Sequence, residues 1–355
     1  MKLIFTALLS AITLLVFGQD DPKTASPQSH APIGVMGDHL HAKGEFMLSY
    51  RWMSMQMSGN LSGSDDISSE TIATTIPNMF SSMAGMPPTL RVVPSDMQMN
   101  MHMIGAMFAP TDGLTLMLMG MFIQKEMDLM TYQGGMGTTE LGSFSTHTSG
   151  LGDVKLTALI RLLKTENRSL HLNAGLNVPL GSITETGTVL TPMNMSPTVR
   201  VPYPMQLGSG SWDFLQGITY SSKMDKVSWG GQLNSTLRLA DNAEDYRFGN
   251  AFNATAWAAY ELAKWISGSL RSEFSSLGQI KGMDANIMLP VQTAHPAFQG
   301  GKRLDVGIGA NLIGQSGFVQ NHRLALEYTL PVYQNLNGPQ MKVSSGLTIG
   351  WQYAF

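Results

Sequence analysis

The stretch SDMQMNMHMIGAMF (95–108) sets Met97, Met99, Met101 and Met103 at every second position, alternating with Gln98, Asn100 and His102. That period puts four thioethers on one face of a β-strand, whereas a helix would scatter them around its axis. A thioether is apolar, flexible and polarizable, so a row of them makes an adaptable greasy lining. It is also a soft ligand that coordinates Cu(I) or Ag(I) without losing a proton. Two chemistries are therefore open: passage of a small hydrophobic solute, or stepwise weak binding of a soft metal. A third possibility is plain packing. A second group of candidate ligands lies in APIGVMGDHLHAKGE (31–45), which holds Met36, Asp38, His39 and His41, with His30 just ahead. Two histidines at i and i+2 on an extended segment share a face and suit a transition metal, although such pairs also occur as solvated side chains.

The positioning elements read as strands. Among 355 residues only 13% are charged, the net charge is -3, and there are 37 Gly, 27 Met and no Cys. The charge balance gives no reason to expect a nucleic-acid partner, and the absence of Cys excludes disulfides and thiolate metal capture. MKLIFTALLSAITLLVFGQD (1–20) has an early Lys2 and a short apolar run ending at Phe17. It reads as a secretory signal peptide over 1–18, with the mature start near Gln19. Residues 19–43 lack periodicity and read as a periplasmic tail or a partial plug of the lumen. Beyond them no apolar run is long enough for a membrane-spanning helix.

Residues 44–355 instead show segments of about ten residues with period-two alternation, the signature of a transmembrane β-barrel. The expected strands are 45–58, 96–109, 114–130, 152–163, 169–180, 211–222, 227–239, 248–262, 265–275, 303–314, 322–333 and 342–355. Short connections such as PTDG (110–113), KTENR (164–168) and KMDK (223–226) alternate with long ones near 59–95, 131–151, 181–210, 240–247, 276–302 and 334–341. An all-β, antiparallel outer-membrane barrel of about twelve strands, with short periplasmic turns and long external loops, satisfies this alternation. The stretch KVSSGLTIGWQYAF (342–355) carries Leu347, Ile349, Trp351, Tyr353 and Phe355 on one face. A terminal aromatic of this kind is similar to the signal recognised by the bacterial barrel-insertion machinery, so Phe355 and the lipid bilayer are the expected partners.

Three neighbouring strands can be oriented together. In the first, Phe46, Leu48, Tyr50 and Trp52 suit lipid, leaving Arg51, Met53, Met55 and Met57 inward. In the third, Leu114, Leu116, Leu118 and Phe122 suit lipid, leaving Met117, Met119 and Met121 inward. The second agrees if Ile104, Ala106 and Phe108 face lipid, which turns Met97, Met99, Met101 and Met103 into the lumen. The opposite assignment, with Gln98, Asn100 and His102 inside, follows when that strand is read alone. Inward charges elsewhere, among them Arg161, Arg238, Arg271, Arg303, Asp305 and Glu327, are of both signs. They form either a solvated wall or a salt-bridge network that plugs the lumen. No nucleophile elbow, phosphate loop or zincin motif occurs, so no enzyme is expected.

The segments SGLGDVKLTALIRLL (149–163), LHLNAGLNVPLGS (170–182), LGSGSWDFLQGITYS (207–221) and VSWGGQLNSTLRL (227–239) carry a family resemblance. With their GLGD start, Pro-Leu-Gly-Ser strand end and Gly-Ser-Gly before an aromatic strand, they resemble the outer-membrane transporters of the meta-pathway-of-phenol-degradation family. That resemblance implies an outer-membrane barrel moving small, often hydrophobic molecules, and implies no catalytic residue. The methionine-dense first third is not among the shared landmarks. The expected function is a channel for a small hydrophobic solute, the alternatives being soft-metal (Cu(I) or Ag(I)) binding through Met97, Met99, Met101, Met103, Met36, His39 and His41, or a structural or adhesive barrel.

Overall fold

A computed structural model describes residues 26–355. The expected signal peptide (1–18) and residues 19–25 lie outside the described residues. The alternating segments form β1 (Phe46–Gly63), β2 (Val92–Thr111), β3 (Leu114–Tyr132), β4 (Glu140–Leu151), β5 (Val154–Lys164), β6 (Arg168–Val178) and β7 (Asp213–Met224). They continue with β8 (Val227–Arg238), β9 (Ala251–Ala263), β10 (Ile266–Leu277), β11 (Gly301–Ile313) and β12 (His322–Ala354). Consecutive strands pair antiparallel, except that β4 and β5 both pair with β3 and not with each other, and β12 returns to pair with β1 from Met47↔Ala354 onward. The seam is finished by reciprocal backbone bonds of 2.8 Å between Phe46 and Phe355. Closure leaves no strand edge unpaired in lipid, the condition for crossing a membrane with sheet.

Two elements depart from the expected spans. Residues 131–151, read as a loop, are largely β4, which pairs with the upper half of β3 while β5 pairs with the lower half. Its sequence, ELGSFSTHTSGL, is too polar to signal a membrane strand. The expected loop 334–341 is a tight reversal within β12. Gly338 has φ +80° there, and a Cβ on it would lie 2.5 Å from the Phe298 ring. The two arms of β12 run side by side, with Arg323 Nη1 donating to Gln352 Oε1 (2.6 Å) and Val343 N–H to Gln334 Oε1 (2.9 Å). The first arm pairs with β11 and the second with β1. With β4 and β5 counted as one wall strand and the two arms of β12 counted separately, the wall of the described residues has twelve strands.

The outer face is apolar through the middle of the wall, with Ile104, Leu116, Leu118, Leu176, Leu233, Leu270 and Ile308 all exposed. The inner face is polar along much of the circumference: Thr115, His171, Thr219, Gln232, Asn311, Arg323 and Glu327 are buried. This inversion of a soluble protein's pattern is what a barrel needs when lipid is the outer solvent.

Both ends of the lumen are filled. At the short-turn end, residues 26–43 cross the barrel as a plug. Ser26 takes a bond from Lys223 Nζ (2.6 Å), and the His30 carbonyl takes one from Asn311 (3.4 Å). The Ala31 carbonyl accepts from Arg323 (2.5 Å), Met36 from Gln232 (2.9 Å) and Gly37 from His171 (2.9 Å), while His41 N–H donates to Thr115 (3.1 Å). The plug thus satisfies its own backbone on inward polar side chains from opposite walls, as buried backbone requires.

At the other end the long connections fold into the mouth instead of standing outside it. Tyr203, Met205, Tyr246, Ile287 and Val291 pack with Met97 and Met127 of the wall in one buried cluster. Arg200 ties three loops together by pairing with Glu244 (2.6 Å) and Asp284 (2.7 Å). Arg91, fully buried, donates to the carbonyls of Ala73, Gln133, Gly134, Met136 and Gly137. Arg91→Ala would orphan these acceptors, each costing about 1 kcal/mol or more. Its expected result is selective protease nicking within 133–137 of an otherwise intact barrel, read by limited proteolysis in liposomes.

Candidate functional site: a chamber beneath the cap

Strand pairing stacks the methionines into rows across β1, β2 and β3. Met57, Met97 and Met127 form one row, and Met55 and Met99 share the next with Lys125. Met53 and Met101 lie beside Ile123, then Met103 and Met121 beside Arg51. A last row joins Met47, Met107 and Met117. Burial settles their direction: Met103 is 4% exposed and its neighbour Ile104 67%. Met97, Met107 and Met119 are buried as well, while Phe108, Leu116 and Leu118 are exposed. The face carrying Gln98, Asn100 and His102 is therefore outermost, and His102 Nδ1 there meets Tyr50 Oη (2.7 Å) on the outer wall. The reading that placed these three inside is corrected. Taken alone, β2 looks polar-in because its upper part stands above the apolar belt.

The rows differ in surroundings. The topmost is packed into the cap with Phe80, Tyr203 and Met205. The lowest packs on Leu40 of the plug and Leu159. Between them Met53, Met55, Met99, Met101 and Met121 remain half-buried. Arg51 is buried and Arg161 half-buried, both on inward positions. In the plug, side chains of His39 and His41 meet ring to ring (4.9 Å), and His30 meets His39 (4.8 Å). The methionines of β2 belong to the wall, so the structure divides the suggested metal ligands between two elements.

A second lining comes from residues that sequence spacing alone does not connect. At the break between β4 and β5, Asp153 accepts from Asn177 Nδ2 (2.8 Å), Gly181 N–H (3.0 Å), Ser209 N–H (2.9 Å) and Ser209 Oγ (2.8 Å). Asn177 also donates to Asp213 (2.9 Å), which is ion-paired with Arg238. The GLGD, PLGS, GSG and TLRL segments thus converge on one buried cluster. Gly181 and Gly208 lie backbone to backbone, and a Cβ on Gly181 would fall 2.6 Å from Gly208 Cα. Only turn chemistry was visible in these segments; their meeting point requires the barrel.

This cluster and Met121 of the methionine field line a cavity of about 300 Å³, together with Lys125, Lys155, Leu215, Arg238 and Phe248. Its roof is the cap: Lys125 Nζ donates to the carbonyls of Pro204 (2.7 Å) and Gln206 (2.5 Å). Arg238 and Phe248 also line a second cavity of about 550 Å³ at the barrel rim, between Arg247–Asn250 and Gly278–Lys281. The Arg238 guanidinium lies 5.8 Å from the Phe248 ring centroid, in cation–π range. These two side chains line both cavities.

A closed barrel with an apolar outer belt and a polar, occupied lumen is a transmembrane β-barrel of the bacterial outer membrane. A family model described as "Putative MetA-pathway of phenol degradation" matches residues 80–312, and the chain belongs to that family. The fold is shared with the COG4313 outer membrane channel from Pseudomonas putida F1, at 14% identity and a TM-score of 0.56, covering 90% of this chain and 99% of that one. Two looser likenesses are the translocator domain of autotransporter NalP from Neisseria meningitidis (10% identity, 90% and 91% covered, TM-score 0.46) and the P. putida toluene transporter TodX (10%, 89% and 91%, 0.44). No functionally curated protein matches the chain.

Proposed function

We propose that this barrel is a passive channel for a small, predominantly apolar molecule, and that it performs no catalysis. The observation that carries the reading is the chamber beneath the cap, where Met121, Leu215 and Phe248 stand among polar and charged groups such as Lys125, Asp153 and Arg238. Its volume of about 300 Å³ is at the small end of ligand sites. The solute would reach the rim cavity, pass between Arg238 and Phe248, rest in the chamber against Met121, and leave when the plug yields. The family's description, which concerns phenol degradation, is compatible with a solute of that size and polarity.

Packing favours the apolar reading of the methionines over a soft-metal path. The top and bottom rows are engaged with Tyr203, Met205, Leu40 and Leu159, so the thioethers do not run as a continuous open ladder. Changing Met97, Met99, Met101 and Met103 together to Leu keeps the apolar character and nearly the volume. Uptake of phenol into liposomes is expected to stay within about twofold of the parent, because Leu and Met differ little in transfer free energy. Loss of uptake together with loss of saturable Ag(I) binding would reverse the assignment in favour of the metal.

A further inference from the structure

The plug carries a feature that solute passage does not use. Its chain goes out from His30, turns through 31–37 and comes back at 38–41, so that residues distant in the segment meet. One potential ligand atom from each of His30, Asp38 and His39 lies within 4.8 Å of the others. His41 adds its ring, 4.9 Å from that of His39. The nitrogens are under-used: His30 Nδ1 and His41 Nε2 are withdrawn from solvent and have no hydrogen-bond partner. The His41 side chain is only 5% exposed, and its other nitrogen meets Glu45 Oε2 at 3.2 Å. A buried imidazole nitrogen left without a partner is costly, and two in one cluster call for an explanation.

We propose that His30, Asp38 and His39, with His41 as a fourth donor, bind one borderline divalent transition-metal ion that pins the returning arm of the plug to its outgoing arm. Imidazole nitrogen with a single carboxylate is the donor set of Zn²⁺ and its neighbours, and differs from the all-oxygen sets of Ca²⁺ and Mg²⁺. Asp38 is already oriented: Oδ2 accepts from Ala31 N–H (2.9 Å) and Oδ1 meets His39 Nδ1 (2.8 Å). The ion would take the place of the proton shared in the second contact. Arg323 opposes a second cation nearby, but its guanidinium is committed to Asn311 Oδ1 (2.6 Å), Gln352 Oε1 (2.6 Å) and the Ala31 carbonyl (2.5 Å). The site is separate from the methionine field of β1–β3 and does not depend on which solute the channel carries.

The test is a titration of the full chain, without a histidine tag, with Co²⁺ followed by visible absorption and then displacement by Zn²⁺. One equivalent of Co²⁺ with a low-symmetry ligand-field spectrum is expected. Affinity should fall by more than about tenfold in Asp38→Asn, and further in His30→Gln/His39→Gln. The exposed His147→Gln variant should bind as the parent does. Heat-modifiable migration on gels verifies that each barrel is folded before titration. Absence of stoichiometric binding by the parent would overturn the proposal, as would retention of full affinity in the folded double variant or an equal loss in His147→Gln.

Discussion

Deletion of residues 26–43 is expected to raise single-channel conductance on the order of tenfold or more, since a twelve-stranded barrel emptied of its plug lies between filled eight-stranded and water-filled sixteen-stranded barrels. The cap leaves the rim and chamber cavities sharing Arg238 and Phe248, whereas the plug spans the short-turn end from Lys223 to Thr115. Flux is therefore expected to be limited where the plug sits. The wall side chains it releases, such as Gln232 and His171, would be hydrated in the open lumen, so the barrel itself should survive. Planar-bilayer recording of parent and deletion decides the matter. An unchanged conductance would assign the resistance to the cap, and Phe248→Ala would then be the opening variant.

Glu327→Ala is expected to destabilise the barrel by about 3–5 kcal/mol, the range for breaking a buried ion pair by removing one partner. Glu327 is 1% exposed; it pairs with Arg271 and accepts from Gly34 N–H of the plug (2.7 Å). Truncation leaves the Arg271 guanidinium with Glu273 alone and orphans a plug amide. Glu327→Gln keeps an acceptor and the side-chain volume, so its cost should be clearly smaller. Urea unfolding in lipid vesicles, followed by tryptophan fluorescence, ranks the three proteins. Equal stability of Glu327→Ala and the parent would mean that Arg271 is hydrated and the plug loosely held.

Much of the wall was legible because strand alternation is a local property. Ile104 and Phe108, read together with the lipid faces of the two flanking strands, favour an inward turn of Met97 to Met103, and short and long connections in alternation point to about twelve strands. Where local signals were weak the reading failed. β4 lies above the apolar belt, where both faces are polar and period two has no contrast. The reversal at Gly338 falls in the stretch 334–341 expected as a long connection; Gln334 and Gln340 bond backbone carbonyls there.

The amino-acid order by itself determined a transmembrane barrel of about twelve strands and favoured an inward methionine field, because each follows from which solvent a side chain meets every second residue. Only the tertiary structure decided how the lumen is used. Asp153 finds Asn177, Ser209 and, through Asn177, Asp213, each from a different segment, and Ser26 finds Lys223 across 197 residues of chain. Such contacts depend on barrel closure and on loops without periodicity folding inward. The same holds for His30, which meets His39 because the plug turns inside walls supplied by the rest of the chain.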